Sequence, residues 1–130
     1  MKYYSLNKQA QTVTFDEAVI RGIAPDKGLY FPENIPVLPA TFWEQLEQLS
    51  KEEIAVEVMK PFVGDSMDEA TLKEIVTDVL SFDFPLIPIE DNVATLELFH
   101  GPTMAFKDVG ARFMASCLGH FLKERNKQEE

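Results

Sequence analysis

Four times in its first 70 residues the sequence carries the same signal for the start of a helix. In each case a serine or threonine stands three residues before a glutamate, the spacing at which the two side chains can cap a helix amino terminus. The four pairs are Thr14 with Glu17, Thr41 with Glu44, Ser50 with Glu53, and Ser66 with Glu69. The signal predicts a mostly helical amino-terminal module over residues 1–81.

Apolar residues at helical spacing follow each signal and predict the buried face of each helix. After the first signal, Ala18 and Val19 precede Gly22, which is typical of a short helix ended by glycine. The later stripes are Phe42, Leu46 and Leu49; then Ile54, Val58 and Phe62, widened by Ala55 and Met59; then Leu72, Ile75, Val76 and Val79. Residues 2–6 and 28–32 are predicted to be two short strands.

The pattern changes after Ser81 and predicts a strand, a loop and a helix. Residues 84–89 contain two prolines and are predicted to be a linker or an edge strand. Residues 93–99 are predicted to be a strand, residues 100–103 a tight loop, and residues 105–124 a helix with a broad apolar face. A strand, loop and helix make half of a βαβ unit, and a parallel sheet needs several such units. We therefore predict an α/β fold, with a second domain that begins in residues 82–130.

Charge and composition exclude several classes of function. The net charge is −10, and residues 33–103 carry fifteen acids and three bases. Nucleic-acid binding needs a basic surface, and this acidic stretch would repel phosphates. No apolar run approaches the roughly 18 residues of a membrane-spanning helix. Because residues 1–20 also lack the apolar block of a secretory signal, we expect no nucleic acid and no membrane among the partners.

The cysteine and histidine content argues against a metal site. Cys117, His100 and His120 are the full set of these residue types, too few for a structural zinc site. A lone cysteine cannot form an internal disulfide, as is usual in a reducing compartment. Cys117 also falls in the apolar stripe of the last predicted helix, which favours a core position. We expect a cytoplasmic protein without a bound metal.

The unusual place in the sequence is the turn before the last predicted helix. Gly101 and Pro102 force a sharp turn, and Lys107 then falls in the first turn of the helix. The positive end of a helix dipole disfavours another cation by about 0.3–1 kcal/mol, so it favours the uncharged amine. An uncharged lysine amine can attack a carbonyl carbon or remove a proton. Lys107 is thus a candidate imine-forming residue at the carboxyl end of a strand, where open α/β sheets bind ligands.

From the residues alone, other interpretations of this turn stay open. Lysines are usually solvated and inert, and Asp108 is placed to neutralise Lys107. His100 suits a hydrogen bond within the loop better than the role of a catalytic base. Thr103 suits the cap of the last helix better than a contact to substrate.

Residues 96–108 read Leu-Glu-Leu-Phe-His-Gly-Pro-Thr-Met-Ala-Phe-Lys-Asp. This string resembles the pyridoxal-phosphate attachment motif of the threonine synthase family, in its bacterial and fungal form. Residues 3–6, 14–19, 22–23 and 28–32 are similar to the opening of that family's amino-terminal domain, and residues 62–65 are similar to its midpoint. The resemblance spans nearly the whole chain and makes Lys107 the residue that carries the cofactor.

The resemblance implies an activity, a cofactor and a fold. Threonine synthase converts O-phospho-L-homoserine and water to L-threonine and phosphate. The lysine that matches Lys107 holds pyridoxal 5′-phosphate and then moves protons at the substrate carbons, while the cofactor ring takes up electrons. By motif position alone, Phe106 and Thr103 would lie near the cofactor. Residues 82–130 would begin a tryptophan-synthase-β-like, fold-type II pyridoxal-phosphate domain.

The family's chains are much longer, and their loops for the phosphates of cofactor and substrate lie after residue 130. We therefore expect a truncated fragment that is inactive alone and binds the cofactor weakly. Two other functions stay open, a related phospho-lyase that releases a keto acid and a non-catalytic acidic interaction module. We expect the apolar face of residues 105–124 to pack on the amino-terminal module or on a second copy of the chain, and the second alternative would be self-association of the fragment.

Overall fold

The computed structural model describes residues 1–129 and has an α/β fold, as predicted. Its strands are β1 (Tyr3–Ser5), β2 (Tyr30–Pro32), β3 (Leu86–Glu90) and β4 (Val93–Leu96). Its α-helices are α1 (Phe15–Arg21), α2 (Ala40–Gln45), α3 (Lys51–Val63), α4 (Glu69–Val79) and α5 (Asp108–Glu129). Short 3₁₀ turns extend α2 and α3 at their carboxyl ends, over Leu46–Gln48 and Gly64–Ser66. Within the described range, no helix is both long enough and apolar enough to span a bilayer.

Two of the four helix-start signals mark helix starts in the structure. At α3 both halves of the predicted box are present, because the Glu53 N–H donates to Ser50 Oγ at 3.2 Å and the Ser50 N–H donates to Glu53 Oε2 at 2.8 Å. At α1 the helix begins after Thr14 as predicted, but the Thr14 hydroxyl makes no capping bond. Glu17 pairs instead with Arg21 on the same helix.

The other two signals misplaced the caps. Helix α2 begins one residue after Pro39, whose fixed φ suits a helix entry, so Thr41 lies inside the helix. Helix α4 is capped by Asp68, which accepts a bond from the Thr71 N–H at 2.7 Å. Ser66 lies in the 3₁₀ turn before α4 and bonds to Asp16 instead: its hydroxyl donates to Asp16 Oδ1 at 2.9 Å and accepts the Asp16 N–H at 3.3 Å. That contact joins residues 50 apart, which local spacing does not reveal.

The amino-terminal strands form a small antiparallel sheet fastened by Asp26. β1 pairs with β2, with Tyr3 opposite Pro32. The Asp26 carboxylate accepts a bond from Ser5 Oγ at 2.6 Å. It also accepts the backbone N–H groups of Gln9, Ala10 and Gly28, each at 3.0 Å. The Ser5 bond, more than the backbone bonds, lowers the pKa of Asp26 below its usual value, so the sheet is fastened by an ionised carboxylate at neutral pH.

The helices α1, α3, α4 and α5 share one apolar interior. The predicted stripe of α4 is confirmed, since Leu72, Ile75, Val76 and Val79 are all buried. On α3 the predicted stripe was displaced, because Val56 and Val63 are the buried residues and Ile54, Val58 and Phe62 are half-buried. Helix α5 packs against α1 and α4, with Cys117 and Phe121 buried beside Val19 and Val79. The apolar face predicted for residues 105–124 is thus covered in part by the amino-terminal helices.

The second sheet differs from the prediction of a starting βαβ unit. β4 ends at Leu96 rather than at residue 99 and pairs antiparallel with β3, the segment predicted to be a linker or edge strand. Every residue of both strands is exposed. An isolated two-stranded hairpin is marginal in water and gains stability from further strands or a packed helix. The domain boundary between residues 81 and 82 and the fold-type II assignment of residues 82–130 stay predictions.

The packing of the interior predicts where the stability of the chain resides. We expect Leu72→Ala to lower the free energy of unfolding by about 2–5 kcal/mol, because Leu72 is 2% exposed in the core between α3 and α4. Leu86→Ala, the same change at a 66% exposed hairpin position, is the matched control and should alter stability by less than about 0.5 kcal/mol. Urea unfolding followed by circular dichroism measures both. Equal losses would contradict this placement of the core.

Candidate functional site

The lysine turn, defined as residues 101–108, lies between β4 and α5, ends on the first residue of α5 and contains two hydrogen-bonded turns. The Met104 N–H donates to the Gly101 carbonyl oxygen and the Asp108 N–H donates to the Ala105 carbonyl oxygen, both at 3.0 Å. Met104 has a φ of 56°, in the left-handed region that costs energy for a residue with a side chain. Strained backbone of this kind persists where surrounding contacts hold it.

The contact that holds the lysine turn is made by Asp108, the first residue of α5. Asp108 is only 3% exposed, and both of its carboxylate oxygens are bonded to Thr103. Oδ2 accepts the Thr103 N–H at 2.9 Å, and Oδ1 accepts the Thr103 hydroxyl at 2.5 Å. The Thr103 hydroxyl bond is the main cause that lowers the pKa of Asp108 below its ordinary value. The turn is therefore closed by an ionised, buried carboxylate, which also suits the positive end of α5.

Gly101 leaves the space that this carboxylate occupies. A Cβ atom at position 101 would lie 2.5 Å from Asp108 Oδ2 and 2.9 Å from Phe82 Cζ. Both distances are too short for any side chain, so glycine is required here by close approach rather than by its own backbone angle. The glycine of the predicted sharp turn thus serves to admit Asp108 and Phe82.

Arg112 ties the first turn of α5 to the end of α4. Its guanidinium donates to the Asp78 carbonyl oxygen at 2.9 Å and to Asp78 Oδ2 at 3.2 Å. It also lies over the Phe82 ring, 5.9 Å from the centroid. A cation at a helix carboxyl end satisfies carbonyls that have no partner within the helix. Arg112 thereby fixes where the amino end of α5, and with it the lysine turn, lies on the helical core.

Lys107 lies just before the last helix, whereas the prediction placed it in the first turn. Helix α5 begins at Asp108, so Lys107 is the residue just before the helix rather than in its first turn. The Lys107 carbonyl oxygen accepts the Ala111 N–H at 2.8 Å, which is the first bond of the helix. The Lys107 side chain is exposed, and it makes no ion pair with the side chains of residues 1–127. Asp108 does not neutralise it through a salt bridge, because the two carboxylate oxygens are bonded to Thr103.

The other predicted residues of the turn have distinct surroundings. Phe106 is 73% exposed beside Lys107. The prediction that Thr103 caps the last helix was wrong, because its hydroxyl donates to the Asp108 side chain instead of accepting from the helix backbone. His100 makes a hydrogen bond within the loop, the role that the sequence favoured. Its Nε2 lies 2.6 Å from Glu97 Oε2, and its ring stacks on Phe99.

Cys117 is a core residue, as predicted. It is fully buried, and burial raises the pKa of its thiol to about 12. A thiol in that environment stays protonated at neutral pH and is a poor nucleophile. In the described part of the chain, no group of three or more His, Cys, Asp or Glu side chains is arranged to hold a metal ion.

The interpretation of the sequence missed two residues that support the turn. It assigned Asp108 only a possible role as neutraliser of Lys107, and it assigned Arg112 no role. A signal for both was present, since an aspartate in the first turn of a helix suits the helix dipole. An aspartate and an arginine four residues apart on a helix also attract each other. The contact of Asp108 with Thr103 gives no such signal, because it depends on the backbone of the turn.

Comparison with known proteins decides the family. Residues 2–80 match the family model described as the threonine synthase N terminus. The chain belongs to the threonine synthase family. It is 36% identical over 125 residues to threonine synthase of Escherichia coli, and 40% identical over 118 residues to that of Haemophilus influenzae. These alignments cover 96% and 91% of this chain.

Solved structures of the family share the fold. The crystal structure of pyridoxal-phosphate-bound threonine synthase from Brucella melitensis matches 97% of this chain at 35% identity, with a TM-score of 0.91. The chain covers 28% of that structure and 29% of the Escherichia coli threonine synthase. The likeness therefore concerns the amino-terminal part of the family's chains.

Proposed function

We propose that this chain is the lysine-bearing amino-terminal part of a threonine synthase, which converts O-phospho-L-homoserine and water to L-threonine and phosphate. The observation that carries the proposal is Lys107, exposed at the amino end of α5 in a turn whose sequence resembles the family's cofactor attachment motif. The pyridoxal phosphate bound to the Brucella melitensis threonine synthase supports the same cofactor for this chain.

The residues present fit pyridoxal 5′-phosphate. When bound, that cofactor supplies an aldehyde that joins an amine and a ring that takes up electrons. Lys107 would hold it, because its side chain is exposed at the amino end of α5. The same amine would then move protons at the substrate carbons. We propose Phe106 as a neighbour of the cofactor, since its exposed ring adjoins Lys107.

Thr103 supports the lysine turn through its two bonds to Asp108. Its hydroxyl donates to Asp108 Oδ1 and its N–H donates to Asp108 Oδ2, so neither proton is available to a ligand in this arrangement. Thr103 would lie near the cofactor through its place in the turn, with a lone pair of its hydroxyl oxygen as the remaining contact.

The exposed surface around the lysine turn is evidence that other parts of a longer protein complete the site. Large apolar side chains are exposed there on the hairpin and on the turn itself. They are Leu86, Ile89, Val93, Leu96, Phe99, Met104 and Phe106. Exposure of many large apolar side chains favours an interface. We infer that these 130 residues alone are inactive and bind the cofactor weakly. We place the reaction in the cytoplasm, which the free and buried Cys117 supports.

Cofactor trapping tests the assignment of Lys107. A longer protein that contains this chain should carry pyridoxal phosphate on Lys107 after borohydride reduction and peptide mapping. Lys107→Ala should abolish the label and the activity, because no other amine lies at this turn. Lys123→Ala, an exposed lysine farther along α5, is the matched control and should leave both unchanged.

Two results separate this function from its alternatives. Label on another lysine, or on none, would overturn the proposal and favour an acidic interaction module. Release of a keto acid without threonine, from a protein labelled at Lys107, would make the enzyme a phospho-lyase. Tight stoichiometric binding of the cofactor by the 130 residues alone would contradict the inference that the site is incomplete.

We also propose that the chain alone self-associates through α5. Met114 and Leu122 remain exposed on this helix although Cys117 and Phe121 are buried. Sedimentation velocity should show a species larger than the monomer that grows with concentration. Leu122→Glu should return the chain to a monomer, whereas Val37→Glu, on the exposed connector before α2, should not. A monomer at every concentration would refute self-association.

A further inference from the structure

Asp108 is an acidic residue with almost no exposure to solvent. Burying an ionised carboxylate is costly unless hydrogen bonds compensate it. Here the largest compensation comes from Thr103, which supplies its N–H at 2.9 Å and its hydroxyl at 2.5 Å, and the backbone of Ala105 and the charge of Arg112 add to it. The two donors and the two oxygens form a closed pair that spans the lysine turn from its third residue to its last.

This pair fixes the residues between Thr103 and Asp108. The segment contains Met104 in the left-handed conformation, Phe106 and Lys107. Met104 is 79% exposed, so no side-chain packing holds its strained backbone in place. The Thr103–Asp108 pair and the two backbone bonds of the turn are the contacts that keep the segment in one conformation.

The residues around the Thr103–Asp108 pair leave space for it and connect it to the helical core. Gly101 admits the carboxylate, because a Cβ there would lie 2.5 Å from Asp108 Oδ2. Phe82 closes the other side of Gly101 and stacks beneath the Arg112 guanidinium. Arg112 in turn is bonded to the end of α4. Contacts therefore run from the end of α4 through Arg112, Phe82 and Gly101 to Asp108, which is the residue next to Lys107.

We propose that Asp108 is the positioning residue for Lys107, because its carboxylate, bonded to both donors of Thr103, holds the turn in the conformation that presents the lysine amine to the cofactor. The proposal rests on the function proposed above for Lys107. Asp108 itself touches neither substrate nor cofactor. Its role is to hold the backbone at Lys107 in one conformation. A fixed orientation of the amine increases the rate at which it captures the cofactor covalently.

Isosteric variants test the proposal in the longer protein. Asp108→Asn keeps the shape but removes one acceptor, and Thr103→Val removes the hydroxyl while the carboxylate stays. Both should lower the rate at which pyridoxal phosphate becomes trapped on Lys107, on the order of tenfold to a hundredfold. Thr103→Ser keeps a hydroxyl at this position, so this variant should trap the cofactor at the rate of the unmodified protein. Asp91→Asn, the same change at an exposed position of the hairpin turn, is the control for charge.

A second test displaces the Asp108 carboxylate without substituting Asp108 itself. Gly101→Ala should reproduce the loss seen with Asp108→Asn, because the new methyl group displaces Asp108. Gly119→Ala is its control, since nothing lies within 4 Å of a Cβ at that position on α5. Thermal unfolding of each variant establishes that it is folded before trapping is compared.

An independent measurement uses the 130-residue chain without cofactor. The Thr103 amide proton should exchange with solvent about tenfold faster in Asp108→Asn than in the unmodified chain, because one oxygen then remains for the two donors of Thr103. In Asp91→Asn the exchange should be unchanged. Unchanged exchange in Asp108→Asn would show that the pair does not hold the turn and would overturn the inference.

The outcomes separate this inference from the proposed function. If the unmodified longer protein carries no label on Lys107, the proposed function falls, whatever the variants do. If the unmodified protein is labelled there and Asp108→Asn and Thr103→Val are labelled equally fast, only the positioning role of Asp108 falls. Equal loss in Thr103→Ser and Thr103→Val would also overturn it, since the hydroxyl would then be irrelevant.

Discussion

The ring of Phe15 is the contact on which the arrangement of the helices depends. It packs against all three apolar clusters of the interior. Its centroid lies 5.8 Å from that of Tyr3 on β1 and 5.9 Å from that of Phe121 on α5. One side chain from the first helix thus joins the amino-terminal sheet, the α3–α4 pair and the last helix. Because of this shared interior, α5 has a fixed place on the amino-terminal module.

The fixed place of α5 determines what the lysine turn can do. Arg112 attaches the first turns of α5 to the end of α4, and Asp108 closes the turn against Thr103. The buried acid and the exposed base are neighbours in sequence with separate tasks, since Asp108 stabilises the turn and Lys107 remains available to a ligand. The separation explains why a strained residue, Met104, is tolerated on an exposed segment.

Periodicity predicted the parts of the fold in which one face of a helix is buried. The stripe of α4 and the core position of Cys117 follow from spacing alone, since amphipathic helices bury one face. The capping signals were less reliable, because several polar residues near a helix start compete for the same role. Asp68 caps α4 while Ser66 bonds to Asp16, a partner that only the folded chain brings close.

The hairpin and the lysine turn show where prediction from local sequence ends. The two prolines in residues 84–89 left open a linker or an edge strand, and β3 forms as a strand of the two-stranded hairpin, with an irregular register between Pro88 and Glu90. The two-residue turn Asp91–Asn92, with Asn92 at a φ of 63°, is a hairpin signal that the sequence interpretation missed. Lys107 was found through its motif, whereas its support by Asp108 depends on backbone angles and on the space at Gly101.

The central claim is that one core reaches from the amino-terminal helices into α5 and so fixes the lysine turn, while the hairpin beside it depends on contacts outside this core. Amide hydrogen exchange on the unmodified chain tests it most directly, because protection reports local stability. The account predicts that the amides of α5 around Cys117 exchange as slowly as those of α4, and that the amides of β3 and β4 exchange faster than both. Exchange of α5 as fast as that of the hairpin would contradict it.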